Sequence, residues 1–408
     1  MKQSGLDELR GRAFWVVIGC MACQMGLGLG YVPSQVADGM LADLDWDRTL
    51  FAEVFAPQLF AQALASPLAG WMVVRFGIRP VLVGSGLLVC SAFAGLALLG
   101  AAAPMMLLAA LMGVGLAGVG DVTVGAAVAR WVEHARGRAL GFVYGGANLG
   151  GGLFGILAGA IMVQWNWRVA IAGVAVLALA LMLPAALFAV REPHVGEVDI
   201  DAGPGNDASE TAALGLRQAL ATRSFWILTW ALFAVFFSFV AMTRHLKLLL
   251  IDAGLSEADA RYFFGNAVLI GVVTKAASGF IADRLHPRRA MIANHALFTA
   301  SFAVLLALPA AGALALFFVL YAFSANARDV VFPVLVANAF GTRMLAPIYG
   351  AICVTLLPGG IGGPIVAGWA FDTTGNYDLA LWIFIAVNAS ALLLLPFVRD
   401  ETAALARA

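Results

Sequence analysis

Charged side chains are scarce in this chain. Asp, Glu, Lys and Arg make up 12% of its 408 residues and cancel to a formal net charge of zero. Soluble domains carry about a quarter charged residues. With no basic excess, the chain lacks the surface that nucleic acid requires. Cysteine is rare too: Cys20, Cys23, Cys90 and Cys353 are the only four, and each lies in an apolar run. Cys20 and Cys23 have CxxC spacing, but no strand pattern or redox-fold context surrounds them. They read as two small apolar residues on one helix face rather than a redox pair or metal ligands. The apolar runs hold no His/Glu metal set, nucleophile–base pair or phosphate loop, so neither an enzyme nor a metal or cofactor site is expected. The alternating period of a membrane barrel strand is also missing. The opening MKQSGLDELRGR lacks a cleavage-site pattern, so the first apolar run is expected to be retained.

Hydrophobic residues, by contrast, reach 62%. A soluble core cannot absorb that share, and the chain belongs in a bilayer. A spanning helix needs about 20 apolar residues. Twelve such segments follow one another: 13–34, 49–73, 79–99, 104–128, 139–163, 169–190, 224–248, 262–282, 290–309, 312–336, 345–369 and 379–398. Unpaired backbone groups are not tolerated in lipid, so the segments read as helices. The expected fold is all-α integral membrane, with twelve transmembrane helices in two pseudo-symmetric six-helix halves.

Lys and Arg in the loops set the orientation. With the N-terminus in the cytoplasm, only Arg48, Arg168, Lys247 and Arg261 fall outside, and Arg244, Lys275 and Arg328 fall within spans. All other Lys and Arg lie inside, which predicts a multi-pass protein of the cell membrane with both termini cytoplasmic. A polar stretch around VDIDAGPGNDASE reads as a flexible cytoplasmic linker. The domains expected are a first six-helix half, 1–191, a linker, 192–223, and a second half, 224–408.

The halves resemble each other. The loop stretch Gly70-Trp-Met-Val-Val-Arg75-Phe-Gly77-Ile-Arg79 after span two matches Gly279-Phe-Ile-Ala-Asp283-Arg284-Leu after span eight at an offset of 209 residues, and Asp121 falls on Asp329 at an offset of 208. Repeated halves of this kind mark secondary transporters.

These residues resemble the major facilitator superfamily, whose G-x-x-x-D-R-x-G-R-R loop is present twice. The second copy keeps Gly279, Asp283, Arg284, Arg288 and Arg289. The first keeps Gly70, Arg75, Gly77 and Arg79 but has Val74 where the family has Asp. The resemblance implies that Gly70, Arg75, Arg79, Gly279, Asp283 and Arg284 take part in gating; positive charge set by topology alone is the simpler account of the same loops. Within the superfamily, three stretches are similar to monocarboxylate transporters and oxalate/formate exchangers. They are Arg12-Ala-Phe-Trp15 with Tyr31-Val-Pro33-Ser34, then Arg130-Trp131 with Arg136-Gly-Arg138, and Lys275-Ala-Ala-Ser-Gly279. That branch implies a small organic anion as cargo, moved by alternating access with protons or by exchange. Lys275 stands where an Arg holds the substrate carboxylate, which leaves a point charge instead of a fork. Gly271 stands where several members have a proton-linked Asp, and Ser34 where some have a Lys.

Ionisable groups within spans are the strongest functional pointers. Lys275 is expected to hold the anion; the alternative is that it snorkels to the interface, since Asp283 and Arg284 follow. Arg328 and Asp329 are adjacent, about 100° apart on a helix, and are expected to be poor partners for each other. Arg328 is expected to pair with Asp121 in one state, and Asp329 to neutralise Lys275 in the empty carrier. Asp121 or Asp329 is the expected proton site, against a static ion pair. His245 is expected at the outer mouth, either meeting substrate or anchoring the helix end. Substrate contacts are thus expected at Lys275, Arg328, Ser34 and His245. Gly113-Val-Gly115-Leu-Ala-Gly118 fits GxGxxG but lies inside an apolar run, so it is read as close helix packing. Pro358 and Pro364 are expected to bend span eleven. Phe236 or Phe237 could line an apolar pocket. An efflux carrier for an amphipathic compound is the alternative function, and a monomer is expected.

Overall fold

The computed structural model describes residues 11–193, 214–252, 254, 257–307 and 312–405. Residues 194–213 of the expected linker 192–223 and most of the turn Asp252–Ser256 therefore lie outside the described residues. Every regular element among the described residues is helical. Twelve long helices appear: α1 (Arg12–Gln35), α2 (Arg48–Phe76), α3 (Ile78–Leu96), α4 (Ala102–Trp131), α5 (Arg136–Gln164), α6 (Trp167–Ala189), α7 (Arg223–Asp252), α8 (Glu257–Arg284), α9 (Pro287–Leu305), α10 (Ala313–Phe340), α11 (Leu345–Thr374) and α12 (Asp378–Leu394).

Ten of them are long and apolar enough to cross a membrane. The two outside that set are α8, which carries Lys275 and charges at both ends, and α9, which opens on Pro-Arg-Arg and contains Asn294 and His295. Large apolar side chains such as Leu98, Val163, Phe188, Val273 and Leu393 point outward. In a bilayer that surface is solvated by lipid.

Sequence chemistry explains where helices start and stop. Asp47 caps α2 by accepting the Leu50 N–H at 2.7 Å, and Asn166 caps α6 by accepting the Val169 N–H at 2.9 Å. Side-chain acceptors at these positions satisfy donors that a helix start leaves unpaired. Gly77, Gly341 and Gly375 end α2, α10 and α11 at positive φ, a conformation glycine adopts without strain. Buried hydroxyls bond back to their own helix: Ser238 to Ala234 O at 2.9 Å, Ser278 to Lys275 O at 2.8 Å.

Three helices are interrupted. The Gly26/Gly28/Gly30 stretch winds α1 into a 3₁₀ segment, Met25–Tyr31. Gly120 breaks α4 into Ala102–Val119 and Asp121–Trp131. In α11 the helix stops at Cys353 and resumes at Leu356. Pro358 has no N–H to offer the carbonyl four residues earlier, Val354, so the break falls one turn before the proline that causes it. Pro364, expected to bend the same span, lies inside the continuous second segment.

The chain forms two compact units. One comprises 1–204 with 342–354, and the other 205–341 with 355–408. In the first unit α4 packs on α2 and α3, and α1 packs on α5. Glycine lets these backbones meet: a Cβ at Gly113 would strike the carbonyl of Gln58, at Gly118 the hydroxyl of Ser85, and at Gly150 the carbonyl of Met25. The GxGxxG pattern is therefore a packing surface, as small residues are in membrane bundles. The core between them holds Leu29, Phe93, Met112, Phe154 and Trp167. The segment Leu345–Cys353 completes this unit by lying on α2, where Gly70 faces Ala346 and Gly350 faces Ser66.

The second unit has an aromatic centre. Tyr321 stacks on Phe317 and Phe298 with ring centroids 5.2 and 5.7 Å away, and Phe302 bridges to Phe384 at 5.8 Å. The α7–α11 seam is closed by Gly359 and Gly363 against Phe236 and Phe237. Asn388 on α12 donates to Ser238 on α7 at 2.9 Å, fully buried.

Candidate functional site

Lys275 sits on α8, one turn before Gly279, and is 5% exposed. Its Nζ lies 2.9 Å from Asp329 Oδ2 on α10. It does not snorkel. Burial in an apolar helix is tolerated because the charge is paired. The guanidinium of Arg328 bonds the other oxygen of the same carboxylate. Here the expectation that neighbours on a helix are poor partners fails. The three-carbon stem of arginine reaches back across the 100° separation, and away from water the nearest carboxylate wins. One carboxylate therefore serves two cations, and the triad carries a formal charge of +1. Arg328 also lies over Phe236 and Phe239, 4.4 and 5.5 Å from the ring centroids. A guanidinium accepts such stacking better than an ammonium does. Of the two phenylalanines expected to be candidates, Phe236 flanks the triad, and Phe237 is buried in the α7–α11 seam.

Asp121 occupies the first position of the second α4 segment, where a helix N-terminus favours negative charge. Its carboxylate accepts from Gln24 Nε2 of α1 at 2.5 Å, and its carbonyl accepts from the Tyr144 hydroxyl of α5 at 3.0 Å. Although Asp121 and Asp329 align in the repeat, α4 is broken at that point and α10 is continuous. Ser34 is exposed in the first unit, its hydroxyl donating to Tyr31 O at 2.6 Å. His245 belongs to another place on the second unit, with Nδ1 3.2 Å from the Tyr377 hydroxyl. The structure thus gathers Lys275, Arg328 and Asp329 into one cluster, while Asp121, Ser34 and His245 have partners of their own.

The expected gating residues occupy the loops after α2 and α8. Gly70 lies against Leu345–Cys353, and Arg75 reaches the Phe76 ring. Arg79 Nε donates to Val190 O at 2.9 Å. On α8, Gly279 is buried, Asp283 is half-buried, and Arg284 is exposed at the helix end.

Two residues escaped the sequence reading. Gln24 is a lone amide in an apolar run and is 1% exposed. A search confined to ionisable groups passes over it. Glu192, just past α6, accepts from Arg130 Nη1 at 2.7 Å and from the Ile78 N–H at 3.2 Å. It brings a carboxylate to the first loop, whose own Asp position is Val74. The signal was that missing Asp, with Glu133 and Glu192 as the first unassigned acids after it.

The comparisons agree with this architecture. Over 348 residues the chain is 26% identical to monocarboxylate transporter 13 of Bos taurus, covering 82% of this chain and 78% of that one. It is 26% identical over 361 residues to the probable sulfoacetate transporter SauU of Cupriavidus necator, covering 81% and 80%. Among solved structures, the proton:xylose symporter XylE bound to 6-bromo-6-deoxy-D-glucose superposes with a TM-score of 0.73 at 15% identity, over 97% of this chain and 99% of that one. The sequence profile of the Major Facilitator Superfamily matches residues 14–357. With twelve helices, repeated loops and that match, the chain belongs to the Major Facilitator Superfamily of secondary transporters.

Proposed function

We propose that this transporter carries a small organic anion, monocarboxylate-like, and that the anion binds at Lys275 and Arg328. The observation that carries the reading is the buried triad in which two cations share Asp329. An incoming carboxylate takes over one cation, and Asp329 keeps the other. The exchange leaves no charge unneutralised, so the net +1 cluster is complementary to one negative charge. Phe236 and Phe239 beside Arg328 give the cargo an apolar wall. Relatives named for monocarboxylate and sulfoacetate transport support an anionic cargo. Asp121 and Asp329 are the two carboxylates proposed to exchange a proton with the cycle, with anion exchange as the other route. Ser34 and His245 are proposed as further contacts on the cargo's path. The loop residues Gly70, Arg75, Arg79, Gly279, Asp283 and Arg284 are proposed to gate it. The two six-helix halves, 1–191 and 224–408, lie in the cell membrane with both termini on the cytoplasmic side, as the Lys and Arg bias supports.

The aromatic wall also favours a second reading, an efflux carrier for an amphipathic compound. Reconstituted vesicles separate the two. Lys275→Gln is expected to lose uptake of a labelled monocarboxylate, and excess unlabelled anion to compete with the parent protein's uptake. Uptake by Lys275→Gln equal to the parent's would remove the anion-site reading. Transport of an amphipathic cation that no anion competes with would favour the efflux reading.

A further inference from the structure

The second unit contains a cavity whose lining includes none of Lys275, Arg328 and Asp329. It has a volume of about 200 Å³ and lies where α9 begins, α10 ends and the chain leaves α12. Its polar wall is His286, Arg288, Asn338 and Arg399, and Leu335 and Val398 form the apolar part. Asp400 also borders it, but that carboxylate accepts from the Thr402 hydroxyl at 2.6 Å and the Ala403 N–H at 3.0 Å, capping the last short helix. Arg288 is held in place by Pro396 O and Val398 O at 3.2 and 3.1 Å. The His286 Nδ1 accepts from the Arg288 N–H at 3.3 Å, which leaves its Nε2 to carry a proton as donor. Arg399 is anchored through its own N–H, which donates to the Ser224 hydroxyl at 3.0 Å, and its side chain is exposed.

The surroundings of this cavity match what headgroup depth would require. Immediately before it, Leu393 on α12 and Phe397 just past that helix are 73% and 64% exposed, an apolar surface suited to acyl chains. Trp226, two residues past Ser224, is also outward, and its indole N–H donates to Leu220 O at 3.0 Å. Tryptophan in that posture marks the boundary between hydrocarbon and water. A basic recess thus opens beside an apolar flank at the interface.

We propose that this recess binds the phosphate of an anionic phospholipid, with Arg288 and Arg399 on the phosphate, His286 and Asn338 donating to the headgroup, and the acyl chains along Leu393 and Phe397. Basic pockets of this kind recognise lipid headgroups. The test uses the purified full-length protein in detergent, titrated with phosphatidylglycerol, phosphatidylcholine or inorganic phosphate, with thermal stability as the readout. Saturable stabilisation by phosphatidylglycerol, absent with phosphatidylcholine, is expected. Arg399→Gln should weaken the apparent affinity about fivefold, the amount expected for one interfacial cation. Arg217→Gln, an exposed arginine outside the recess, should leave it unchanged. Equal stabilisation by inorganic phosphate, an equal loss in Arg217→Gln, or no loss in Arg399→Gln would each overturn the proposal. Arg288 is left intact because its bonds to Pro396 and Val398 also hold the chain's path.

Discussion

At the scale of single residues, the triad is a balance of charges. Asp329→Asn would leave Lys275 and Arg328 buried with no anion between them. Removing one partner of a buried pair costs about 3–5 kcal/mol. The expected result is a marked fall in the melting temperature of Asp329→Asn in detergent. Lys275→Gln combined with Asp329→Asn should restore part of that loss, because only one cation then lacks its carboxylate. A double variant whose loss equals the sum of the two single losses would show that the two residues are energetically independent. Arg328→Lys keeps the charge but gives up the planar stacking on Phe236, so it should retain stability better than transport. Comparing its melting temperature and its uptake rate with the parent's checks this. Much of the cluster was legible: Lys275, Arg328 and Asp329 stand out because ions are rare in apolar runs. The Arg328–Asp329 contact was not, since a helical wheel records the direction of Cβ and ignores the reach of a guanidinium. Gln24 was hidden for a different reason. A neutral amide does not announce itself by charge, and only its burial against Asp121 reveals it.

At the scale of helices, glycine sets the distances. A Cβ on Gly363 would fall on the carbonyl of Phe237, whereas one on Gly360 would sit 3.9 Å from Val240, an ordinary contact. Gly363→Ala is therefore expected to lower stability by the about 1–3 kcal/mol typical of overpacking, while Gly360→Ala should be near neutral. Thermal unfolding of the two variants side by side decides it. Gly70→Ala should act in the same manner against Ala346, with transport lost before membrane insertion is. All twelve segments were readable from hydropathy, yet several helices overrun them. The span expected at 224–248 belongs to a helix running Arg223–Asp252, and 262–282 to one running Glu257–Arg284. Hydropathy measures the lipid slab, and hydrogen bonding continues past it. The break at Gly120 was not read, because an apolar run looks the same whether or not its backbone is continuous, whereas the one at Val354 falls a turn before Pro358, where a bend was expected.

At the scale of the whole molecule, the fold class follows from composition, and the proposed orientation rests on loop charge. The division of the chain does not follow from sequence order alone. Thr342–Val354 comes late in the chain, yet it packs into the first unit, held there by Gly70 and Gly350. Such pairing depends on contacts between residues far apart in sequence, which no local pattern encodes. The proposed orientation is testable at single positions. A cysteine introduced at Asn376, between α11 and α12, should react with an impermeant maleimide added to intact cells. One at Arg217 should react only after the membrane is opened. The reverse pattern would turn the topology over.

The four native thiols bear on that experiment. Cys20, Cys23, Cys90 and Cys353 all lie in the packed interior, and structural cysteines buried in this way are inert. The parent sequence should thus be silent to alkylating dyes without any engineering. Every fluorophore attached would report the one site chosen for it.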